Sequence, residues 1–168
     1  MSWSDRRRAL ALAGGLLAAL ALGGLGGCGY APAAAPGGAG GALVGAVLPA
    51  APDDAAGFAY VARIEDRLGR ATLPRYRLDH RIVTRPTGEG ITAAGAITRF
   101  RLDGRVDWQL VRLADGAMVA EGTAESFTGW FTTSTTVATL AAEEDALRRL
   151  MTILADQTVT RLLAAPPE

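Results

Sequence analysis

The sequence predicts an α+β fold: a two-layer sandwich in which a roughly four-stranded, mostly antiparallel sheet carries two helices on one face, in the order β-α-β-β-β-α. Three observations lead there. Apolar and charged residues alternate with period two in Arg75–Arg85 and again in Arg99–Leu113, as strands with one buried face require. Two other segments, after Pro52 and after Thr136, repeat apolar residues at helical spacing. Finally, Asp115-Gly116 follows the second alternating run and supplies the positive φ angles of a tight hairpin, so successive strands run antiparallel. With 168 residues the chain is long enough for one core.

The organisation falls into residues 1–27, 28–41 and 42–165. Residues 1–27 have the parts of an export signal: Arg6-Arg7-Arg8, an apolar run from Ala9 to about Leu22, then small residues. A permanent membrane helix is the alternative, and it needs about 20 apolar residues. Gly14, Gly15, Gly23 and Gly24 interrupt this run, and each glycine costs roughly 0.8–1.0 kcal/mol against alanine in a helix, which favours cleavage. The order Arg6-Arg7-Arg8-Ala9-Leu10 also overlaps a twin-arginine signal, so either export route remains open.

Leu25-Gly26-Gly27-Cys28 resembles a lipobox, the processing signal of bacterial lipoproteins. The resemblance implies that Cys28 receives diacylglycerol, that cleavage follows Gly27, and that the new amino group is acylated. Three chains would hold the protein in a membrane, because each buried methylene contributes about 0.8 kcal/mol. A disulfide within the chain is impossible with one cysteine, and a metal site is not expected with one histidine, His80. Gly24 to Gly29 also spells the dinucleotide fingerprint, but Pro32 and Pro36 stand where its helix would begin, so no cofactor is expected. Gly29 follows the cysteine in place of aspartate, which by resemblance to lipoprotein sorting implies the outer membrane.

Gly29–Gly41 is alanine, glycine and proline, which bury too little side chain to offset ordering entropy. As a flexible tether it would span a root-mean-square distance of about 20 Å. Ala42–Pro49 is a short apolar run read as a strand. Asp53 and Asp54 then suit the start of a helix, whose stripe is read as Phe58, Val61, Ile64, Glu65 and Leu68, with Gly69 as its C-terminal stop.

In the second strand Tyr76, Leu78, His80, Ile82 and Thr84 face one way, with Arg75, Arg77, Asp79, Arg81 and Arg85 opposite. In the third, Phe100, Leu102, Val106, Trp108 and Leu110 oppose Arg99, Arg101, Asp103, Arg105 and Asp107. A fourth strand runs from Met118 to about Phe131 with Glu121 and Glu125 on its polar side. Ser134 or Thr136 caps the closing helix, which reaches about Ala164 and aligns Leu140, Leu147, Leu150, Met151, Leu154, Thr158 and Leu162. Its acids Glu143, Glu144 and Asp145 precede Arg148, Arg149 and Arg161, an order that suits the helix dipole.

The whole order of elements resembles the LPS-assembly lipoprotein family, LptE. The residues that carry it are Cys28-Gly29-Tyr30-Ala31-Pro32, Ala114-Asp115-Gly116, Glu125-Ser126-Phe127-Thr128, Leu154-Ala155-Asp156-Gln157 and Arg161-Leu162-Leu163. The alanine- and glycine-rich stretch after Pro32 departs from the bulkier residues usual there. The resemblance implies a non-enzymatic protein seated in the lumen of the LPS translocon barrel, LptD, where it helps the barrel assemble and binds lipopolysaccharide. An auxiliary substrate-binding lipoprotein of another lipid transport system is the alternative.

Arginine makes bidentate bonds to phosphate, and lipid A carries phosphates, so Arg99, Arg101, Arg105, Arg77 and Arg81 are the candidate lipopolysaccharide contacts. Asp79, Asp103, Asp107, Glu121 and Glu125 share their face and offer the competing role of cross-strand pairing. Removing residues 1–27 takes away Asp5 and three arginines and leaves 14 arginines against 16 acids, so no nucleic-acid partner is expected. His80 is read as a satisfied core histidine, Trp108 as core, and Trp130 and Phe131 as exposed aromatics near a strand end that would touch a barrel wall.

Overall fold

A computed structural model describes residues 40–91, 97–132 and 135–164. The elements are β1 (Val47–Pro49), α1 (Ala55–Leu68), β2 (Tyr76–Ile91), β3 (Ile97–Arg112), β4 (Met118–Phe131) and α2 (Thr136–Ala164). They form one four-stranded sheet in the order β1-β2-β3-β4, with β1 parallel to β2 and the other neighbours antiparallel. The expected α+β order is therefore observed. The first strand is shorter than the apolar run Ala42–Pro49 suggests, because Gly41–Leu43 winds into a 3-10 turn and Gly45 adopts φ 67°. Gly45 thereby bonds to Leu68 and Thr72 and ties the start of the domain to the end of α1.

The second strand runs past Arg85, through Pro86, to Ile91. Proline lacks a ladder donor and is tolerated where a strand has a free edge. β1 pairs with β2 only at Tyr76–Leu78, so Pro86 lies well beyond it on such an edge. At the other end Arg112 and Met118 flank the tight turn, with Gly116 at φ 71° and the Asp115 carboxylate accepting from Ala117 N at 3.0 Å.

Asp54 caps α1 by accepting from Gly57 N at 2.6 Å, and Gly69 ends it at φ 77°. The Thr135 hydroxyl, not Thr136, accepts from Ala138 N at the start of α2; Ser134 lies outside the described residues. The core lies between the helices and one face of the sheet. Leu78, Val106, Trp108 and Leu110 meet Tyr60, Ile64 and Leu68 from α1 and Leu150, Met151, Leu154 and Leu162 from α2. Two glycines make the approach possible: a Cβ on Gly104 would stand 2.7 Å from Leu150 Cδ2, and one on Gly122 2.6 Å from the Trp108 ring. No described helix is long and apolar enough to cross a membrane.

Two expected core positions and one expected exposed aromatic are corrected. Phe58 is 63% exposed, because α1 buries Ala56, Gly57, Tyr60, Ile64 and Leu68, a stripe fixed by the Tyr60 hydroxyl bonding to Thr158 at 3.0 Å. Leu140 is exposed because it lies nearly two turns before Ala146, where α2 reaches β4 and the Ala146 carbonyl accepts from Thr128. Trp130, expected to be exposed, is buried against Phe100 in a stacked pair with centroids 5.1 Å apart, since from Ala120 onward the even-numbered β4 residues face the helices.

Candidate functional site

Helices cover one face of the sheet, and the strand period then dictates what the other face carries. On β2 it carries Arg77, Asp79, Arg81, Val83 and Arg85; on β3 Arg99, Arg101, Asp103, Arg105 and Asp107. β4 adds Glu121, Thr123, Glu125, Phe127 and Phe131 to the same face. All five candidate arginines, Arg77, Arg81, Arg99, Arg101 and Arg105, therefore stand on one open surface. Arg75 precedes β2 and lies against the Tyr76 ring, so it is not part of that array. Cys28 lies outside the described residues.

The face is divided by its acids. Arg77 holds Asp79 through bonds of 2.8 and 2.9 Å from Nε and Nη2. Arg105 reaches Asp107 at 2.7 Å and Glu125 at 2.6 Å, while Thr123 donates to Asp107 at 2.7 Å. These bonds hold the Asp107 carboxyl below its ordinary range, with Arg105 the main cause and Thr123 second. The same contacts raise the Arg105 and Arg77 guanidinium pKa values. In this half Arg77 and Arg105 are already neutralised by their neighbours, whereas Arg81, the register partner of Asp107, makes no ion pair with a described residue, although its charge helps to lower the Asp107 pKa.

Towards the distal end the balance changes. Arg99 approaches Glu89 at 3.6 Å and Arg101 approaches it at 3.9 Å, while Arg101 Nε also donates to Asp103 at 2.8 Å. Arg85, the register partner of Asp103, makes no ion pair with a described residue. A shallow depression of about 420 Å³ lies here, lined by Val83, Arg85, Arg101, Asp103, Arg105 and Phe127 among others. The Arg101 guanidinium carbon sits 3.9 Å from the Phe127 ring centroid, and that of Arg99 sits 5.6 Å from the Phe131 centroid.

Sequence reasoning put the arginines on this face but not Phe127, and it treated Phe131 apart from them. The signal was present: Glu121 and Glu125 set the outward parity of β4, and two and six residues beyond Glu125 the same parity reaches Phe127 and Phe131. His80 faces the helices as expected, with its ring 5.1 Å from that of Tyr60. It is not satisfied, however: His80 Nδ1 and Trp108 Nε1 are buried without a hydrogen-bond partner among the described residues. Among those residues no group of three or more His, Cys, Asp or Glu side chains could hold a metal ion.

This arrangement is a charged, partly aromatic surface with no described helix over it. A family model described as LptE, lipopolysaccharide-assembly, matches residues 46–162, from the strand opening the sheet to the last buried leucine of α2. No curated protein matches the chain. Among solved structures, a protein of Caulobacter crescentus CB15 named as a lipoprotein is 22% identical, with TM-score 0.64 over 74% of this chain and 93% of that one. Rare lipoprotein B of Shewanella oneidensis is 10% identical with TM-score 0.53, over 71% and 92% of the two chains. A minor lipoprotein of Acinetobacter baumannii is 17% identical with TM-score 0.51, over 71% and 89%. At these identities the structures share the fold with this chain.

Proposed function

Because the chain belongs to the LptE family of lipopolysaccharide-assembly proteins, we propose that it is an outer-membrane lipoprotein, anchored through Cys28, that helps assemble and then plugs the LPS translocon barrel LptD. In that position it binds lipopolysaccharide on its way to the cell surface through the uncovered face of its sheet. The observation that carries this reading is the extent of the family match, which spans every described β-strand and all but the last two residues of α2.

The open face supports the ligand part of the reading. Lipopolysaccharide presents phosphates beside acyl chains, and Arg99, Arg101, Arg105, Arg77 and Arg81 share one surface with exposed Phe127 and Phe131. Guanidinium forks suit phosphate, and exposed aromatics suit apolar partners. The role asked of the chain is holding and contacting, with no catalytic step.

Purification of the full-length chain from its own membranes in mild detergent tests the assignment. The expected result is a stable one-to-one complex with a large β-barrel, and an intact mass showing a chain that begins at acylated Cys28. Recovery with an inner-membrane transporter instead would move the protein to another lipid transport system, and an unmodified Cys28 still joined to Gly27 would remove the anchor.

A further inference from the structure

We infer that the distal end of the open sheet face is the seat for the acylated, phosphorylated end of the glycolipid, with Phe127 and Phe131 taking acyl chain and Arg85, Arg99 and Arg101 taking phosphate. The inference rests on the lipopolysaccharide reading above and locates it at one end of the surface.

Phe127 and Phe131 lie on the edge strand β4 and are 57% and 65% exposed, although the inner face of that strand has room only for small residues and Trp130. Four residues apart on one face, their Cα atoms are separated by about 13 Å. Gly129 stands between them without a side chain. The backbone enforces the gap, since a Cβ at Gly129 would lie 2.9 Å from the Phe100 carbonyl oxygen. Two rings with bare backbone between them form an apolar slot open to solvent.

Cations stand along that slot. Arg101 is the register partner of Gly129, and with no side chain opposite, its guanidinium leans over the Phe127 ring. Arg99 is the register partner of Phe131 and lies over that ring in turn. Arg101 Nε is taken by Asp103 at 2.8 Å, and Glu89 lies 3.6 and 3.9 Å from Arg99 and Arg101. An arginine stacked on an aromatic still presents its remaining N–H donors to a planar-fork acceptor such as phosphate. Arg85, across the strand pair from Asp103, adds a charge that no described acid pairs with. The proximal half has arginines but not these rings: Arg77 and Arg105 are engaged by Asp79, Asp107 and Glu125, Arg81 stands beside Asp107, and Glu121 repels an anion. A ligand with phosphates beside acyl chains matches the distal end best, because there exposed rings and arginines adjoin.

The test is site-specific photocrosslinking in the full-length chain expressed in lipopolysaccharide-producing cells, with benzoylphenylalanine placed singly at positions 127, 131, 77 and 121. Adducts with lipopolysaccharide at 127 and 131, and none at 77 and 121, are expected. Lipopolysaccharide adducts at 77 or 121 but not at 127 and 131 overturn this seat while leaving the lipid-binding reading intact. Adducts at 127 and 131 to protein alone, whether a barrel or a second copy, assign the slot to that partner and also overturn it. Lipopolysaccharide adducts at none of the four positions overturn both. As a second measurement, the F127S/F131S variant in detergent should lose at least about tenfold in affinity for intact lipopolysaccharide, equivalent to about 1.4 kcal/mol. It should change little for the deacylated form, and equal loss for both forms would remove the acyl-chain role.

Discussion

The Tyr60 hydroxyl donates a 3.0 Å hydrogen bond to Thr158 Oγ1, and the Thr158 hydroxyl in turn donates to the Leu154 carbonyl at 3.0 Å. This buried chain sets the rotation of α1 against α2 and so decides which residues of α1 reach the core. Burial pushes the Tyr60 pKa up to about 12, against the smaller opposing effect of the bond to Thr158. The folded state therefore holds a proton that the unfolded chain releases near pH 10, and stability falls as pH rises from about 10 towards 12. A chemical-denaturation series across that range should show the fall in the wild type, and Y60F should flatten it. At pH 7 the same variant should lose about 1 kcal/mol, the net value of one hydrogen bond.

His80 sits at the same level of the core. Burial lowers its pKa, opposed by the Leu78 backbone and by the charges of Asp53, Asp79 and Asp54. Its folded pKa is depressed, so the unfolded chain binds the proton more readily, and stability is lost as pH falls through the unfolded value of about 6.5. Unfolding midpoints measured at pH 7.5 and pH 5 should differ in the wild type by more than in H80Q. An equal difference in both would place the acid sensitivity elsewhere.

Two glycines of the sheet should differ in their tolerance of a methyl group. The Cβ of G122A would press on the rigid Trp108 ring at 2.6 Å, whereas that of G104A meets the rotatable ends of Leu150 and Leu154 at 2.7 and 3.0 Å. Overpacking a core costs typically about 1–3 kcal/mol, and the ring is the less able to yield. Thermal unfolding should rank G122A below G104A, with both below wild type; the reverse order would mean that Trp108 can swing aside.

Asp156 joins the helices at their surface, accepting from Arg63 Nε at 3.0 Å and Arg67 Nη1 at 2.6 Å. Partial burial raises its pKa, but the hydrogen bonds and charges of Arg63 and Arg67 outweigh this, and the net shift is downward. The contribution is present above the ordinary carboxylate pKa and disappears as pH falls through the lowered one. D156N should be less stable than wild type at pH 7, and the difference should shrink as the pH approaches 3 and below. Added salt should narrow it too, because the pairs are only partly buried and salt screens them.

What the sequence determined by itself was periodicity and local chemistry. Alternation in Tyr76–Thr84 and Phe100–Leu110 sufficed for two strands and for the face each arginine takes, because side chains in a strand have only two directions. Asp54, Gly69 and Asp115-Gly116 marked a cap, a stop and a turn, since those backbone conformations admit few residue types. Tertiary structure decided what depends on register between distant segments. It buried Trp130 on Phe100, left Phe58 and Leu140 in solvent, and paired Arg105 with Glu125, 20 residues away in sequence. It also brought Phe127 beneath Arg101 through the β3–β4 ladder. Local period tells which face a residue occupies, whereas its neighbour on that face is set by strand alignment and helix rotation, which the packing of Tyr60, Gly104 and Gly122 selects among sterically allowed arrangements.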